Sequence, residues 1–201
     1  MYRGRKIAVV VPAHNEEALI QDTLLGIPDY VDRVYVVNDG STDNTKIRIK
    51  EITSQDERFI LIDHEINKGA GAAIVAGYSR SIIDDIDITA VMDGDNQMDP
   101  LQLHRLLDPI VDGEADYAKG NRLSSRDTAK EMSNWRYFGN NILTYLTRIA
   151  AGNTKINDPQ NGYTAMSNEV FKTINPESIF TWYGYCNDIL VKLSTFNFII
   201  K

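Results

Sequence analysis

The sequence has little cysteine, no long apolar run and no excess of positive charge, and each shortage excludes a class of protein. Cys186 is the single cysteine among 201 residues, so no intramolecular disulfide can form and a reducing compartment is expected. The longest apolar run, residues 7–11, is far shorter than the ~20 residues of a membrane-spanning helix. The net charge of −7 argues against a protein that coats nucleic acid, so no nucleic-acid partner is expected.

Apolar strand patterns and helical patterns alternate along most of the chain. Strands are predicted at 7–11, 34–37, 59–62, 88–92, 115–119 and 161–166, and helices at 16–26, 43–54, 70–83, 101–111, 135–151 and 186–193. The strands are continuously apolar, which is typical of a parallel sheet covered by helices on both faces. We therefore predict a single α/β domain over residues 1–201. A strand-like ending at 196–201 further predicts that the domain continues beyond Lys201.

Each of the first four predicted strands is followed by a polar cluster. The clusters are PAHNEE at 12–17, NDGSTD at 38–43, NKGAG at 67–71 and DGDNQ at 93–97. In an open parallel sheet, ligands bind beyond the carboxyl ends of the strands. One such cluster is weak evidence because turns are polar anyway, but all four at one edge predict a binding site.

The DGDNQ cluster is the most informative of the four. Asp93 and Asp95, separated by a glycine at a strand end, can face one cation, and the Gln97 amide oxygen can be a third ligand. Mg²⁺ takes oxygen ligands and is usually shared with substrate phosphates. The alternative is an ordinary turn that uses Asp and Gly for their backbone tolerance. The position beside the other clusters favours the metal.

The NDGSTD and NKGAG clusters also have simpler explanations. A glycine turn followed by a helix cap at Thr42 or Asp43 accounts for most of NDGSTD but not for Asp39, whose carboxylate can accept hydrogen bonds from a nucleobase or ribose. NKGAG lacks the spacing of a phosphate-binding P-loop. We expect its glycines to let the following helix lie close to a donor substrate.

Together and in this order, the four clusters resemble the family 2 glycosyltransferases of the GT-A fold, over residues 6–195. Within that family the chain looks most similar to the dolichyl-phosphate mannose and glucose synthases. That similarity rests on DGDNQ with Asp99 and Pro100 after it, on GNRL at 120–123 and on DPQNGY at 158–163.

The resemblance implies a metal-dependent hexosyltransferase that moves a sugar, with inversion, from a GDP- or UDP-sugar to a polyprenyl or dolichyl phosphate. It implies a cytoplasmic protein at the cytoplasmic face of a membrane, with Mg²⁺ or Mn²⁺ as cofactor. The implied nucleotide contacts are Pro12, His14, Glu16, Asp39 and Lys68. The implied metal ligands are Asp93, Asp95 and Gln97, and the implied phosphate contacts are Arg122, Arg136 and Asn140.

Three positions depart from the family pattern. His14 stands where Tyr is common, and Asn140 and Asn161 stand where Ser is frequent, so the base and the sugar of the donor stay open. Arg136 and Asn140 are four residues apart on a predicted helix and hence on one face. An arginine fork suits phosphate oxygens, although Arg122 and Arg136 also fit a solvated surface.

Other functions stay open at this point. A sugar-hydroxyl acceptor would need a carboxylate base, for which Asp158 and Asp188 are candidates. A sugar-1-phosphate nucleotidyltransferase would share the sheet and the metal, but such enzymes usually carry a glycine-rich basic stretch where this chain has acidic PAHNEE. A non-catalytic nucleotide-sugar-binding module is the third alternative, against which the intact Asp39, Asp93 and Asp95 argue.

Overall fold

The structure is a computed structural model that describes residues 1–121, 144–145, 148 and 158–201. Its strands are β1 (Ile7–Ala13), β2 (Arg33–Asp39), β3 (Phe59–His64), β4 (Ile88–Val91), β5 (Tyr117–Lys119) and β6 (Thr164–Ser167). They form one sheet with the order β3-β2-β1-β4-β6-β5. The first four strands are parallel, whereas β6 runs antiparallel to both of its neighbours. The prediction of an α/β, mostly parallel sheet is confirmed.

The helices of the described residues lie on both faces of this sheet. They are α1 (Ile20–Leu25), α2 (Thr45–Thr53), α3 (Ala70–Ile83), α4 (Leu103–Val111), α5 (Asn168–Thr173) and α6 (Tyr185–Thr195). Short 3₁₀ turns at Pro100–Gln102 and Pro176–Ser178 precede or follow them.

The alternation of side chains along β1 builds two separate cores. Val9 and Val11 pack with residues of α1, α2 and α4, whereas Ala8 and Val10 pack with residues of α3, α5 and α6. Because successive side chains of a strand point to opposite faces, a strand covered on both sides must be apolar throughout. This explains the unbroken apolar run at the start of the sequence.

The helix predicted to start at residue 16 starts at Ile20 instead. The preceding residues are held by the loop after β2: the Glu16 N–H donates to Thr45 Oγ1 at 2.7 Å, and the Glu17 N–H donates to the Asp43 carboxylate at 3.3 Å. These bonds pair N–H groups that stand just before α1, and the Glu16 carbonyl accepts the Ile20 N–H at 2.9 Å where the helix begins.

Two predictions for the second half of the chain need correction, and others lie partly outside the described residues. The strand predicted at 161–166 begins only at Thr164, because residues 161–163 follow a turn at 159–160 without joining the sheet. The ending predicted as a strand forms a single parallel bridge, between Ile200 and Tyr117. Of the helix predicted at 135–151, residues 144, 145 and 148 are helical, and the remainder lies outside the described residues. No described helix is long and apolar enough to cross a bilayer.

Candidate active site

One cavity of about 300 Å³ lies at the carboxyl edge of the parallel strands. All four polar clusters predicted from the sequence contribute to its wall. The predicted site residues that line it are Pro12, His14, Glu16, Asp39, Asp93 and Asp95. The volume is at the lower end of the range typical of small-molecule sites, about 300–1,000 Å³.

The loops after β1 and β2 are joined by a network of hydrogen bonds, and we call the pair the interlocked loops (residues 14–17 and 41–45). Asn15 Oδ1 accepts the Thr42 N–H at 2.8 Å, and Ser41 Oγ accepts the Asn15 N–H at 3.1 Å. The Glu17 carboxylate accepts the Asn44 N–H at 3.0 Å. These side chains are therefore used to fix the rim of the cavity.

Asp43 acts at the start of α2, much as predicted. Its Oδ1 accepts hydrogen bonds from the Thr45 N–H at 3.0 Å and from Thr45 Oγ1 at 2.6 Å. These bonds lower the pKa of Asp43, although partial desolvation, the largest single influence, opposes them. The residue at the cap position is Asn44, which makes no capping bond with its side chain.

The carboxylate of Asp39 lies buried at the base of the cavity. Its Oδ1 accepts from His64 Nδ1 at 2.7 Å and from the Lys68 N–H at 3.0 Å, and its Oδ2 accepts from the Gly69 N–H at 2.8 Å. An ionised carboxylate offers about four acceptor positions, so the three bonds leave one for a ligand.

Sequence analysis did not single out His64. The residue ends β3, one strand from Asp39, with which it is paired in the sheet register. The signal was available, because the rule that polar residues at strand ends gather at one edge applies to His64 as well. It was missed because the strand was predicted to end at residue 62.

Asp93 and Asp95 lie on the turn that follows β4, and both are half-buried. Asp95 Oδ1 accepts the Gln97 N–H at 3.1 Å, which closes the turn. A Cβ atom on Gly162 would lie 2.9 Å from Asp93 Oδ2, so the DPQNGY segment leaves space for this carboxylate only because it has glycine there.

Glu16 adds a third carboxylate to the cavity wall. Burial raises its pKa, and the negative charges of Asp95 and Asp43 raise the pKa further. Within the described residues no three His, Cys, Asp or Glu side chains are grouped closely enough for a complete protein cage around a metal. The two carboxylates of Asp93 and Asp95 nevertheless fit Mg²⁺, which is commonly held by one or two carboxylates together with substrate phosphates.

Five predicted site residues are not among those that line the cavity. Lys68 and Gln97 are exposed and contribute backbone N–H groups to Asp39 and Asp95, so the predicted roles of their side chains stay predictions. Arg122, Arg136 and Asn140 lie outside the described residues.

The glycines of NKGAG allow a close contact with another part of the chain, and their expected closeness to a donor stays a prediction. A Cβ atom on Gly69 would lie 2.5 Å from the Thr181 carbonyl oxygen, and one on Gly71 would lie 2.1 Å from the Phe180 carbonyl oxygen. The Ala72 N–H donates to the same Thr181 oxygen at 3.0 Å. The glycines therefore make room for the crossing segment (residues 180–183), which passes over the start of α3.

The crossing segment brings Trp182 and Tyr183 to the cavity wall, and sequence analysis missed both. Asp188, a candidate base, holds this segment in place: its carboxylate accepts the Phe180 N–H at 2.9 Å and pairs with Lys192 at 2.7 Å. Asp158, the other candidate base, is buried. Neither carboxylate lines the cavity.

The sequence that builds this cavity matches a known family. The family model described as Glycosyl transferase family 2 matches residues 8–174. The chain belongs to glycosyl transferase family 2. The predicted family is thereby confirmed, and the protein is a glycosyltransferase.

Curated family 2 relatives include enzymes that act on lipid phosphates. The chain is 27% identical over 198 residues to the UDP-N-acetylglucosamine–dolichyl-phosphate N-acetylglucosaminyltransferase of Methanococcus voltae, covering 92% of this chain and 78% of that protein. It is 29% identical over 195 residues to the polyprenol monophosphomannose synthase of Mycolicibacterium smegmatis, covering 92% of this chain and 70% of that protein.

A solved structure supports the same family and its GT-A fold. Glucosyl-3-phosphoglycerate synthase from Mycobacterium tuberculosis, in complex with Mn²⁺, UDP-glucose and phosphoglyceric acid, is 26% identical and superposes with a TM-score of 0.71. The match covers 94% of this chain and 65% of that one, so the present chain spans somewhat less than two thirds of its length. The predicted GT-A fold is confirmed.

Proposed function

We propose that this family 2 enzyme transfers a hexose from a GDP- or UDP-sugar to a polyprenyl or dolichyl phosphate, with inversion at the anomeric carbon. The observation that carries the proposal is the gathering of Asp39, Asp93 and Asp95 in one cavity at the carboxyl edge of the sheet. The lipid-phosphate relatives from Methanococcus voltae and Mycolicibacterium smegmatis support the acceptor class. A lipid acceptor would place the enzyme at the cytoplasmic face of a membrane.

The residues on the turn after β4 suit a divalent cation. Asp93 and Asp95 would hold Mg²⁺ or Mn²⁺, which when bound neutralises the charge that builds on the departing nucleoside diphosphate. Gln97 remains a proposed third ligand. The space that Gly162 leaves beside Asp93 keeps this carboxylate accessible from the cavity.

The remaining residues bind and orient the donor. The one acceptor position left on Asp39 suits a single N–H or O–H of the base or ribose, because its other positions are filled by His64 and two backbone amides. Pro12, His14 and Glu16 would surround the nucleotide, and Lys68 would lie beside it.

In the reaction, a phosphate oxygen of the acceptor forms a bond to the anomeric carbon while the bond from that carbon to the diphosphate breaks. The acceptor phosphate is mostly ionised near neutral pH, since its second pKa is about 6, so no strong general base is needed. This agrees with the positions of Asp158 and Asp188, which do not line the cavity.

The proposal is tested by incubating the protein with Mn²⁺ and each of several UDP- and GDP-sugars, in the presence of polyprenyl phosphate in detergent. We expect one donor to give a glycosylated lipid phosphate and free nucleoside diphosphate. Transfer only to sugar hydroxyls would contradict the acceptor class. Pyrophosphate release from a nucleoside triphosphate would instead identify a nucleotidyltransferase, and nucleotide-sugar binding without turnover would identify a binding module.

The proposed acceptor contact by Arg136 makes a separate prediction. Replacing Arg136 with Ala should raise the KM for polyprenyl phosphate by about tenfold or more, because a charge-assisted arginine–phosphate bond is lost. Donor affinity should change little. Initial rates measured with either substrate varied separate the two effects, and a defect confined to the donor would reverse the assignment of Arg136.

A further inference from the structure

The order of the strands gives the cavity two chemically different ends. One end lies beyond β4 and β6, where Asp93, Asp95 and Gly162 line the wall. The other lies beyond β3, where Asn67, Gly69 and Trp182 line it. The first end carries two carboxylates beside the buried Tyr185, whereas the second carries the half-exposed ring of Trp182 near the Asp39 carboxylate.

Asp39, which accepts the Gly69 N–H at the end that holds Trp182, lies two strands away from Asp93. Asp39 ends β2 and Asp93 follows β4, with β1 between these strands. Two strand spacings amount to about 10 Å. If the diphosphate is held at the acidic end, as in the proposed function, the base lies toward β2 and β3 and the sugar lies toward β6.

Trp182 is held firmly at the end where the base would lie. Its ring carbon Cδ2 would be 2.9 Å from a Cβ atom on Gly69, whose N–H is bonded to Asp39. The backbone on its N-terminal side is fixed by the bond from the Ala72 N–H to Thr181 and by the bond from the Phe180 N–H to Asp188. Trp182 is nonetheless 48% exposed, although most large apolar side chains of the fold are buried. A half-exposed indole on an anchored backbone, at the wall of a cavity, offers a surface to a planar ligand.

We propose that Trp182 is the surface on which the nucleobase of the donor stacks. This inference rests on the proposed function, because it places the diphosphate at Asp93 and Asp95. Stacking tolerates any base because every base has a π-face. Discrimination between bases would therefore come from hydrogen bonds, including one to the acceptor position that remains on the Asp39 carboxylate. The sugar of the donor is attached to the diphosphate on the side away from the base, so it lies away from Trp182.

The chain allows a direct optical test, since it has only two tryptophans. Trp135→Phe leaves Trp182 as the single indole fluorophore. In that variant, UDP or GDP added with Mn²⁺ should quench the fluorescence, whereas pyrophosphate added with Mn²⁺, which has no base, should not.

Affinities measured by calorimetry complete the test. Trp182→Ala should weaken the binding of whichever nucleotide the wild type prefers by about fivefold to a hundredfold, the range expected for one aromatic stack. Pyrophosphate affinity should be unchanged, and Trp182→Phe should retain most of the nucleotide affinity. Phe180→Ala is the matched control, because Phe180 is an exposed aromatic of the same segment that does not line the cavity, and it should bind like the wild type.

Several results would overturn the inference. If Trp182→Ala bound the nucleotide as tightly as the wild type, base stacking on Trp182 would be contradicted. The proposed function would be unaffected by that result. An equal loss of nucleotide and pyrophosphate affinity would show that Trp182 only supports the fold, and loss of transfer with unchanged nucleotide affinity would assign it to the sugar or the lipid. A wild-type protein that binds neither UDP nor GDP would contradict the proposed function as well.

Discussion

Asp93 and Asp95 share a turn, but their immediate surroundings differ. The space beside Asp93 exists because residue 162 is glycine, whereas Asp95 also closes its own turn through the Gln97 N–H. An asparagine side chain can make the same turn-closing bond because its amide oxygen is also an acceptor. Replacing Asp95 with asparagine therefore removes the negative charge and keeps the hydrogen bond that closes the turn.

Asp95→Asn should reduce transfer by about a hundredfold or more, because the negative charge proposed to hold the metal is lost. Its melting temperature should stay close to that of the wild type. Asp99→Asn is the matched control: Asp99 bonds the Leu101 N–H from outside the cavity, and asparagine is an equally good cap. Normal turnover of Asp95→Asn with metal present would refute the metal assignment.

Glu16 should make stability depend on pH in a predictable direction. Its pKa in the folded protein is raised above 4.5 by burial and by Asp95 and Asp43, so ionising Glu16 disfavours the fold. The stability associated with its protonated form is complete below the unfolded pKa and is lost as the pH rises through the folded pKa.

Glu16→Gln should therefore melt higher than the wild type at neutral pH in the presence of EDTA, and the difference should shrink toward about pH 4. Thermal melts followed by circular dichroism over this range provide the measurement. The control is Glu65→Gln, at an exposed position away from the cavity, which should show no such trend. If the melting temperature of Glu16→Gln exceeded that of the wild type by more as the pH fell, the raised pKa of Glu16 would be contradicted.

Single residues also show how far the site could be predicted from the sequence. The types of residue at the strand ends were sufficient to find Asp39, Asp93 and Asp95. They could not show that most of the hydrogen-bonding capacity of Asp39 is taken by His64 and two backbone amides, since these lie 25 or more residues away. Trp182 could not be predicted as a site residue, because its position depends on a distant segment of the chain that passes over α3.

At the level of elements, the crossing segment packs closely against the start of α3. Alanine is favoured over glycine in a helix by about 1 kcal/mol, so Gly71→Ala would stabilise an isolated helix. Here the new Cβ atom would lie 2.1 Å from the Phe180 carbonyl oxygen, and overpacking of this kind typically costs about 1–3 kcal/mol.

Gly71→Ala should therefore lower the free energy of unfolding, against the direction of helix propensity. Urea denaturation followed by circular dichroism measures the change. Ser79→Ala, at an exposed position of the same helix, is the control and should be neutral or slightly stabilising. If Gly71→Ala were as stable as the wild type, the crossing segment would not be in close contact with α3.

The elements that depend on local patterns were predicted best. The bounds of α3 match the prediction, because its small apolar residues and the glycine before it are all local signals. The start of α1 was predicted four residues early, because the interlocked loops hold the residues before it. The antiparallel placement of β6 between β4 and β5 depends on pairing between distant segments, which no local pattern indicates.

At the level of the whole molecule, the carboxylates that face the cavity should couple metal binding to nucleotide binding. The protein carries a net charge of −7, and Glu16, Asp93 and Asp95 add negative charge at the place where a diphosphate would lie. A diphosphate alone is repelled by these groups, whereas a divalent cation reverses the local sign.

Mn²⁺ and UDP or GDP added together should raise the melting temperature by more than the sum of their separate effects. At ligand concentrations near 100 times the dissociation constant, linkage gives about 2.7 kcal/mol, which corresponds to roughly 5–10 °C for a protein of this size. Differential scanning fluorimetry with each ligand alone and with both gives the comparison. Strictly additive shifts, or an unchanged synergy in Asp95→Asn, would contradict the coupling.

The interlocked loops affect how substitutions that reduce the activity of this protein should be interpreted. Asn15, Glu17, Ser41 and Thr42 belong to the motif segments from which the family was inferred, yet their bonds are to one another's loops. A mutational scan scored by turnover alone would count them as substrate ligands. If the same scan also measured resistance to heat and proteolysis, it would separate residues that contact the donor from residues that only stabilise the rim of the cavity.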